Sequence, residues 1–241
     1  MNKKVAFVTA SNNGVGKGIV KHLLKNDYIV YANGRDKNLL NFDAVEFISG
    51  DMSKKSNIKK ALKIIKQKEN RLDLVVANLG SGKSISGYDI NMKEYKRIFK
   101  INLFSSIYLA TKSIKFLKKT QGNIVFISSI AGCEDLGAPI PYTIAKTSLL
   151  SFSKSLSNQV SKYNIRVNSI SSGNVMFKGS TWDEKMKNNI SNTKEYIKNN
   201  VALNKFVTPK DIARTVIFLE NNDAITGSNI VVDGGQLNKI I

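Results

Sequence analysis

Short apolar runs alternate with longer amphipathic stretches along all 241 residues, and this alternation constrains the fold more than any other feature. The strand-like runs are 5–8, 28–32, 45–48, 74–77, 122–127, 166–170 and 229–232. The helix-like segments between them are 15–24, 58–66, 93–115, 142–160 and 209–219. Strands separated by helices of this length form βαβ units, whose parallel sheet is covered on both faces. No repeat, low-complexity linker or shift in composition marks a boundary, so residues 1–241 are expected to form a single domain. Sheets of this kind bind ligands beyond the carboxyl ends of their strands, so the residues just after each strand are where chemistry is expected.

Composition narrows the function classes. The net charge of +19 invites a nucleic-acid or membrane-surface reading, but the excess is nearly all lysine spread along helical stretches such as Lys59, Lys60, Lys63 and Lys66. Arginine-rich blocks interleaved with aromatics are missing from the sequence, so solvated surface lysines are the expectation and no nucleic-acid partner is. Steering of an anionic cofactor or substrate is a milder use of the same charge. The apolar runs fall far short of the ~20 residues a membrane span requires, and the N-terminal segment is too soon interrupted for a signal peptide. The single Cys133 cannot form an internal disulfide, which fits a reducing cytoplasm; it reads as a loop cysteine rather than a reactive thiol. His22 lies in the first helical segment, away from every strand end, and reads as structural.

After the first strand, Thr9-Ala10-Ser11-Asn12-Asn13-Gly14-Val15-Gly16 leads directly into a helix. Glycines there let the backbone approach a pyrophosphate, whose charge the helix N-terminus favours. Strand, turn and helix together point to a dinucleotide. The second strand ends in Asn33-Gly34-Arg35-Asp36. An acid at this strand end would hold ribose hydroxyls, and a basic residue would accommodate a 2′-phosphate. Gly34 stands where the acid would be and Arg35 follows, which favours NADP(H) and leaves NAD(H) open. In the alternative, Arg35 lies on the surface and Asp36 turns inward to the ribose. Asp51 and Met52 after the third strand are placed to meet an adenine, and Asn78 and Gly80 after the fourth to meet a ribose.

Ser128-Ser129 ends the fifth strand, and Tyr142 and Lys146 follow on a helix start, four apart and therefore on one face. A lysine ammonium beside a phenol lowers its pKa from the ordinary ~10, so that the phenol can exchange a proton near neutral pH. A nearby serine hydroxyl can hold the substrate oxygen as charge develops on it.

These motifs, in this order and over essentially the whole chain, resemble the short-chain dehydrogenases/reductases. The family turn Thr-Gly-x-x-x-Gly-x-Gly is matched at Thr9, Gly14 and Gly16, with Ala10 in place of the first glycine. The family's Asn-Asn-Ala-Gly element is met in part, by Asn78 and Gly80. The resemblance implies a Rossmann-like, doubly wound α/β fold of seven parallel strands in three layers. It implies a tetrad of Asn102, which holds a water joining the lysine to solvent; Ser129, which binds the substrate oxygen; Tyr142, the acid/base; and Lys146, which pairs with the cofactor ribose. Ser129 is the match rather than Ser128 because it lies thirteen residues before Tyr142. The segment around Gly173 and Val175 resembles the family's Asn-x-Ile-x-Pro-Gly element, with Ser172 for Pro and Phe177 for a threonine usual near the cofactor amide. Backbone contacts from Val175 to the nicotinamide carboxamide are expected to persist. The C-terminal segments Ile225-Thr226-Gly227 and Val232-Asp233-Gly234-Gly235 match elements that support subunit packing, which implies a homodimer or homotetramer.

The function expected is hydride transfer between NADP(H) and a carbonyl or secondary alcohol, with no metal. Residues 176–205 are expected to form a substrate lid, in which Trp182 either stacks on a substrate ring or anchors packing. The wording Gly-Asn-Val-x-Phe-x-Gly-x-x-Trp resembles reductases of bacterial surface-carbohydrate pathways, so a keto sugar or nucleotide sugar leads, ahead of a 3-oxoacyl thioester. A non-catalytic NADP-binding sensor is the remaining alternative.

Overall fold

The computed structural model describes residues 3–36, 40, 42 and 44–238. Seven strands form one parallel sheet in the order β3-β2-β1-β4-β5-β6-β7. They are β1 (Val5–Val8), β2 (Ile29–Gly34), β3 (Val45–Ser49), β4 (Leu74–Ala77), β5 (Asn123–Ser129), β6 (Arg166–Ser172) and β7 (Asn229–Val232). The helices are α1 (Gly14–Lys25), α2 (Lys55–Lys68), α3 (Met92–Phe99), α4 (Ser105–Thr120), α5 (Ile140–Val160), α6 (Thr181–Asn188), α7 (Ile190–Asn200) and α8 (Pro209–Glu220).

Burial on both faces explains why the central strands are apolar throughout. Along β1, Val5 and Phe7 point into one core with Ile58, Ile65, Leu109, Phe116 and Leu149 of α2, α4 and α5. Ala6 and Val8 point the other way, onto Ile19, Val20 and Leu23 of α1 and Ile212 and Val216 of α8. The same period of two divides Val75 from Val76 in β4 and Phe126 from Val125 in β5. The result is the three-layer Rossmann-like architecture that the motifs implied.

Several element boundaries differ from the sequence expectation. β2 begins at Ile29 because the Tyr28 amide is spent on Leu23 O at 3.1 Å, closing the turn after α1, and the strand runs on to Gly34. The expected helix over 93–115 is two helices, α3 and α4, joined by a π-helical turn at Lys100–Phe104 and continuing to Thr120. A π turn has no period of its own in an amphipathic pattern, so sequence periodicity passes over it. β5 and β6 extend to Ser129 and Ser172, carrying polar residues to the sheet's edge over the site. Residues 176–205 contain α6 and α7, and both ends of the segment are tied to the main body. Met176 N donates to Val207 O at 2.8 Å, and Leu203 N donates to Gly234 O at 3.0 Å.

The strand order reverses between β1 and β4, and the turn after β1 crosses this point. Ala10 adopts φ +48°, a left-handed conformation that suits glycine and strains a residue with a Cβ. Its amide donates to Asn33 Oδ1 at 3.0 Å and its carbonyl accepts from Asn78 Nδ2 at 2.9 Å, so neighbouring strand ends hold it there. Ala10→Gly is therefore expected to stabilise the protein by about 0.5–1 kcal/mol, the relief of strain exceeding the added chain entropy. Urea unfolding measures it, and an unchanged or lowered midpoint would show that the turn carries no strain.

Candidate active site

Two residues of the dinucleotide turn serve its own structure. Thr9 is buried; its hydroxyl donates to Val76 O and accepts from the amides of Asn78 and Leu79. Ser11 is fully buried, with its hydroxyl bonded to Val8 O at 2.8 Å and accepting from Asn33 N at 2.9 Å. The side chains of both therefore shape the turn from inside. Asn13 is the N-cap of α1, its side chain accepting from Gly14 N at 2.8 Å. Gly16 has to be glycine, because a Cβ would stand 2.6 Å from both Ala10 O and Ser11 Cα. Val15 packs at the edge of the core beneath α1.

At the end of β2, the Asn12 side chain lies across Gly34, where an added Cβ would be 2.5 Å from Asn12 Cγ. Asn12 Nδ2 also donates to Asp36 O at 3.0 Å. An acidic residue at position 34 would have to displace the Asn12 side chain, and Arg35 and Asp36 follow as exposed residues. After β3, Met52 is buried, and Asp51 accepts from Ser53 N at 2.9 Å. Burial acts to raise the Asp51 pKa, but the Ser53 hydrogen bonds and the charges of Lys54 and Lys100 hold it below the ordinary carboxylate value. Asn78 clamps the first turn through Thr9 O and Ala10 O. The turn glycines and the α1 N-terminus meet at the carboxyl ends of β1 and β2, a place suited to the pyrophosphate of a dinucleotide.

The proposed tetrad converges beside the next strand ends. Ser128 is buried and bonds Lys146 O at 3.4 Å, tying β5 to α5. Ser129 lies at the surface of a cavity of about 870 Å³ that it shares with Tyr142, Gly80, Ser81 and Val175. Tyr142 sits in the first turn of α5, which Pro139 and Pro141 set in place. Lys146, one turn on, is buried, and its ammonium donates to Ile127 O at 2.9 Å. Asn102 is fully buried in the π turn. Its Oδ1 accepts from Ser81 N at 2.9 Å, and its Nδ2 donates to Ser81 O and Ile98 O at 3.1 Å. The carboxamide is therefore committed to the loop after β4, so any water held at Asn102 would have to use its backbone. Gly80 covers this junction, since a Cβ there would lie 3.0 Å from Asn102 Oδ1 and 3.2 Å from Lys146 Nζ.

The titration of the pair departs from the sequence expectation. Burial raises the Tyr142 phenol above its ordinary value, and the adjacent Ser129 pulls it partly back. The Lys146 ammonium is turned to Ile127 O, with its nitrogen 5.8 Å from the phenol ring centre, and does not reverse that effect. Burial in turn lowers Lys146 to about 8.

Several site residues carried no sequence motif. Asn33 donates to Ile48 O and Gly50 O at 2.9 Å, locking β2 to the turn after β3; a polar residue ending an apolar strand was its one signal. Glu94 and Arg97 hold the loop after β4, through Ser84 Oγ to Glu94 Oε1 at 2.9 Å and Arg97 Nη2 to Lys83 O at 2.8 Å. Arg97 keeps the Glu94 carboxylate down to about 2. Gln236 Oε1 accepts from Asn174 N at 2.7 Å and crowds Gly173, so the C-terminal segment braces the cavity wall. Trp182 lines the cavity and also packs on Tyr196 and Phe206, with ring centres 4.8 and 4.6 Å away, so packing and cavity roles coincide. His22 Nδ1 bonds Gly18 O at 2.9 Å within α1, a structural place.

Because folding lowers the Lys146 pKa, the unfolded chain binds that proton more tightly. Its contribution thus makes the protein more stable as pH rises from about 8 toward the ordinary value of about 10.4. Lys146→Met removes this contribution, and we expect it to stabilise the protein by about 1–3 kcal/mol at pH 7. The advantage should shrink between pH 8 and 10 in parallel urea titrations. A gap that stays constant across that range would show that no charge is buried at a cost there.

Residues 9–236 match a family profile described as enoyl-(acyl carrier protein) reductase. Carbonyl reductase family member 4 of Xenopus laevis is 31% identical over 239 residues, covering 96% of this chain and 97% of that protein. The 3-oxoacyl-acyl-carrier-protein reductase of Buchnera aphidicola is 28% identical over 246 residues, covering 98% of each. Among solved structures, L-sorbose reductase of Gluconobacter frateurii, complexed with NADPH and L-sorbose, superposes with a TM-score of 0.90. It is 23% identical, over 99% of this chain and 98% of that one, and the likeness speaks for the fold. With the turn, the strand order and the Ser129, Tyr142 and Lys146 arrangement, these matches establish that the chain belongs to the short-chain dehydrogenase/reductase family of NAD(P)-dependent oxidoreductases.

Proposed function

We propose that this chain passes hydride between NADP(H) and a carbonyl or secondary alcohol, with a keto sugar or nucleotide sugar as substrate. The observation that carries the reading is the shared cavity. Ser129, Tyr142, Gly80, Ser81 and Val175 all line it, while Lys146 is buried beside Tyr142. The nicotinamide supplies or accepts the hydride. In reduction Ser129 Oγ donates a hydrogen bond to the carbonyl oxygen and Tyr142 Oη gives it a proton. Lys146, fixed by Ile127 O, presents its ammonium behind the phenol to offset charge as the proton leaves, and Asn102 holds Ser81 and thereby the cavity wall. A dinucleotide would lie across Gly14, Val15 and Gly16, with Asp51, Met52, Asn78, Gly80 and Gly173 bordering its path.

NADP(H) is favoured because Asn12 fills the space of a strand-end acid over Gly34 and Arg35 follows. The keto-sugar reading is supported by polar groups around the cavity: Ser81, Ser84, Asn174, Thr181 and Gln236. The helices α6 and α7 act as its lid. A 3-oxoacyl thioester is the second reading, favoured by the relative that reduces such thioesters. Exposed Phe104, Ile144 and Phe218 offer apolar surface for a homodimer or homotetramer. Among the described residues no helix is long and apolar enough to cross a membrane.

Cofactor oxidation over a panel of keto sugars, nucleotide keto sugars and 3-oxoacyl thioesters tests the substrate reading, and turnover of thioesters alone would replace it. Tyr142→Phe is expected to lower kcat at least 10²-fold while dinucleotide affinity and the unfolding midpoint hold. Retained turnover would remove Tyr142 from proton transfer. Arg35→Ala should weaken NADPH about 10- to 100-fold and leave NADH nearly unchanged, as loss of a charge-assisted hydrogen bond implies. Equal loss for both cofactors would contradict the 2′-phosphate role.

A further inference from the structure

The ring of Phe177 rests on the phosphate-binding turn. A Cβ built on Gly14 would lie 2.6 Å from Phe177 Cζ, 2.8 Å from Cε2 and 3.1 Å from Cε1, so the ring edge is seated against the Gly14 α-carbon. Gly14 opens α1 with φ +52°, and its amide is already capped by Asn13 Oδ1 at 2.8 Å. The first amide of α1 and the bare face of its glycine, two of the groups a helix N-terminus would offer to a pyrophosphate, are thus engaged by this chain's own side chains. A dinucleotide running from Arg35 to Tyr142 has to pass this point.

Phe177 is also joined to the lid. Its carbonyl accepts from Ser180 N at 2.9 Å and its amide donates to Ser180 Oγ at 3.4 Å. Ser180 is the N-cap of α6, accepting from Asp183 N at 3.1 Å. Gly179 between them has φ +84°, and its amide donates to Asp183 Oδ2 at 2.8 Å, so the chain from Phe177 to Ser180 is fastened to the first turn of α6. Two residues past Ser180, Trp182 stacks on Tyr196 of α7. A shift of Phe177 is therefore passed through Ser180 to the helix that carries Trp182, and both aromatic rings line the cavity above Tyr142.

We propose that Phe177 is a gate on the pyrophosphate seat, which the dinucleotide displaces as it binds, and that this displacement repositions the α6–α7 lid over the substrate cavity. The proposal rests on the NADP(H) reading. Phe177 acts here as a positioning residue: it makes dinucleotide binding precede substrate binding. Its seated position reduces the fraction of molecules competent to bind, so apparent affinity falls by that fraction.

Titration calorimetry with NADP⁺ and the emission of Trp182, the only tryptophan in the chain, test this without turnover. Phe177→Ala and Phe177→Thr are expected to tighten NADP⁺ binding by about 5- to 30-fold as the gate is removed. Phe177→Leu, which keeps an apolar plug, should stay within about twofold of the native protein. The native protein should show a Trp182 emission shift that saturates with NADP⁺, and the Ala and Thr variants should lose most of it. Weaker or equal binding in the Ala and Thr variants would overturn the gate, and an absent Trp182 shift in the native protein would overturn the coupling to the lid. If neither the native protein nor any folded variant binds NADP⁺ or NAD⁺, the cofactor reading itself fails and the gate with it. That outcome is distinct from normal native binding that the variants leave unimproved.

Discussion

The site depends on one hydrogen-bonded knot at the point where the strand order reverses. Asn78 Nδ2 donates to the carbonyls of Thr9 and Ala10, while Asn33 Oδ1 accepts from the Ala10 amide and Asn33 Nδ2 ties in the end of β3. Three strand ends and the first turn are joined through two buried or half-buried carboxamides. Unsatisfied buried amides and carbonyls are costly, so the knot forms as a whole and stays rigid. The knot also explains how an alanine persists at a left-handed position. The bonds on both sides of Ala10 outweigh a strain of about 1–2 kcal/mol.

A second set of constraints converges on the loop after β4. Asn102, buried in a π turn, grips Ser81 from below. The Glu94–Arg97 pair grips Ser84 and Lys83 from the side. Lys146 reaches the same place from α5, separated from the loop by the bare face of Gly80. The cavity is therefore lined in part by a loop held by hydrogen bonds and in part by residues of α6 and α7, which pack on each other through Trp182 and Tyr196. Phe177 lines the same cavity and rests against Gly14 of the phosphate turn.

Much of this was legible from the chain. The period-two burial of β1, β4 and β5 followed from continuous apolar runs, and Tyr142 and Lys146 on one helical face followed from their spacing. The break of helix 93–115 at the π turn did not, because one extra residue per turn leaves no mark on composition. Thr9 and Ser11 belonged to the motif, but which way their hydroxyls turn depends on Val76, Val8 and Asn33, strands away. The raised Tyr142 pKa was missed for a similar reason. Spacing reveals that a lysine is near, whereas burial and the pull of Ile127 O on that lysine are tertiary facts. Phe177 was visible only as a departure from a family threonine; its contact with Gly14 joins residues 163 positions apart.

In the proposed reaction a hydride passes from a nicotinamide to a carbonyl carbon whose oxygen meets Ser129 and Tyr142. Incubating the protein with NADPH deuterated on the transferring face of C4, together with a keto-sugar substrate, and weighing the product alcohol by mass spectrometry tests it directly. We expect one deuterium on the former carbonyl carbon, with labelled product formed at least 10²-fold more slowly when Tyr142→Phe replaces the native chain. Product formed without the label, or labelled product formed as fast by Tyr142→Phe as by the native chain, would contradict it.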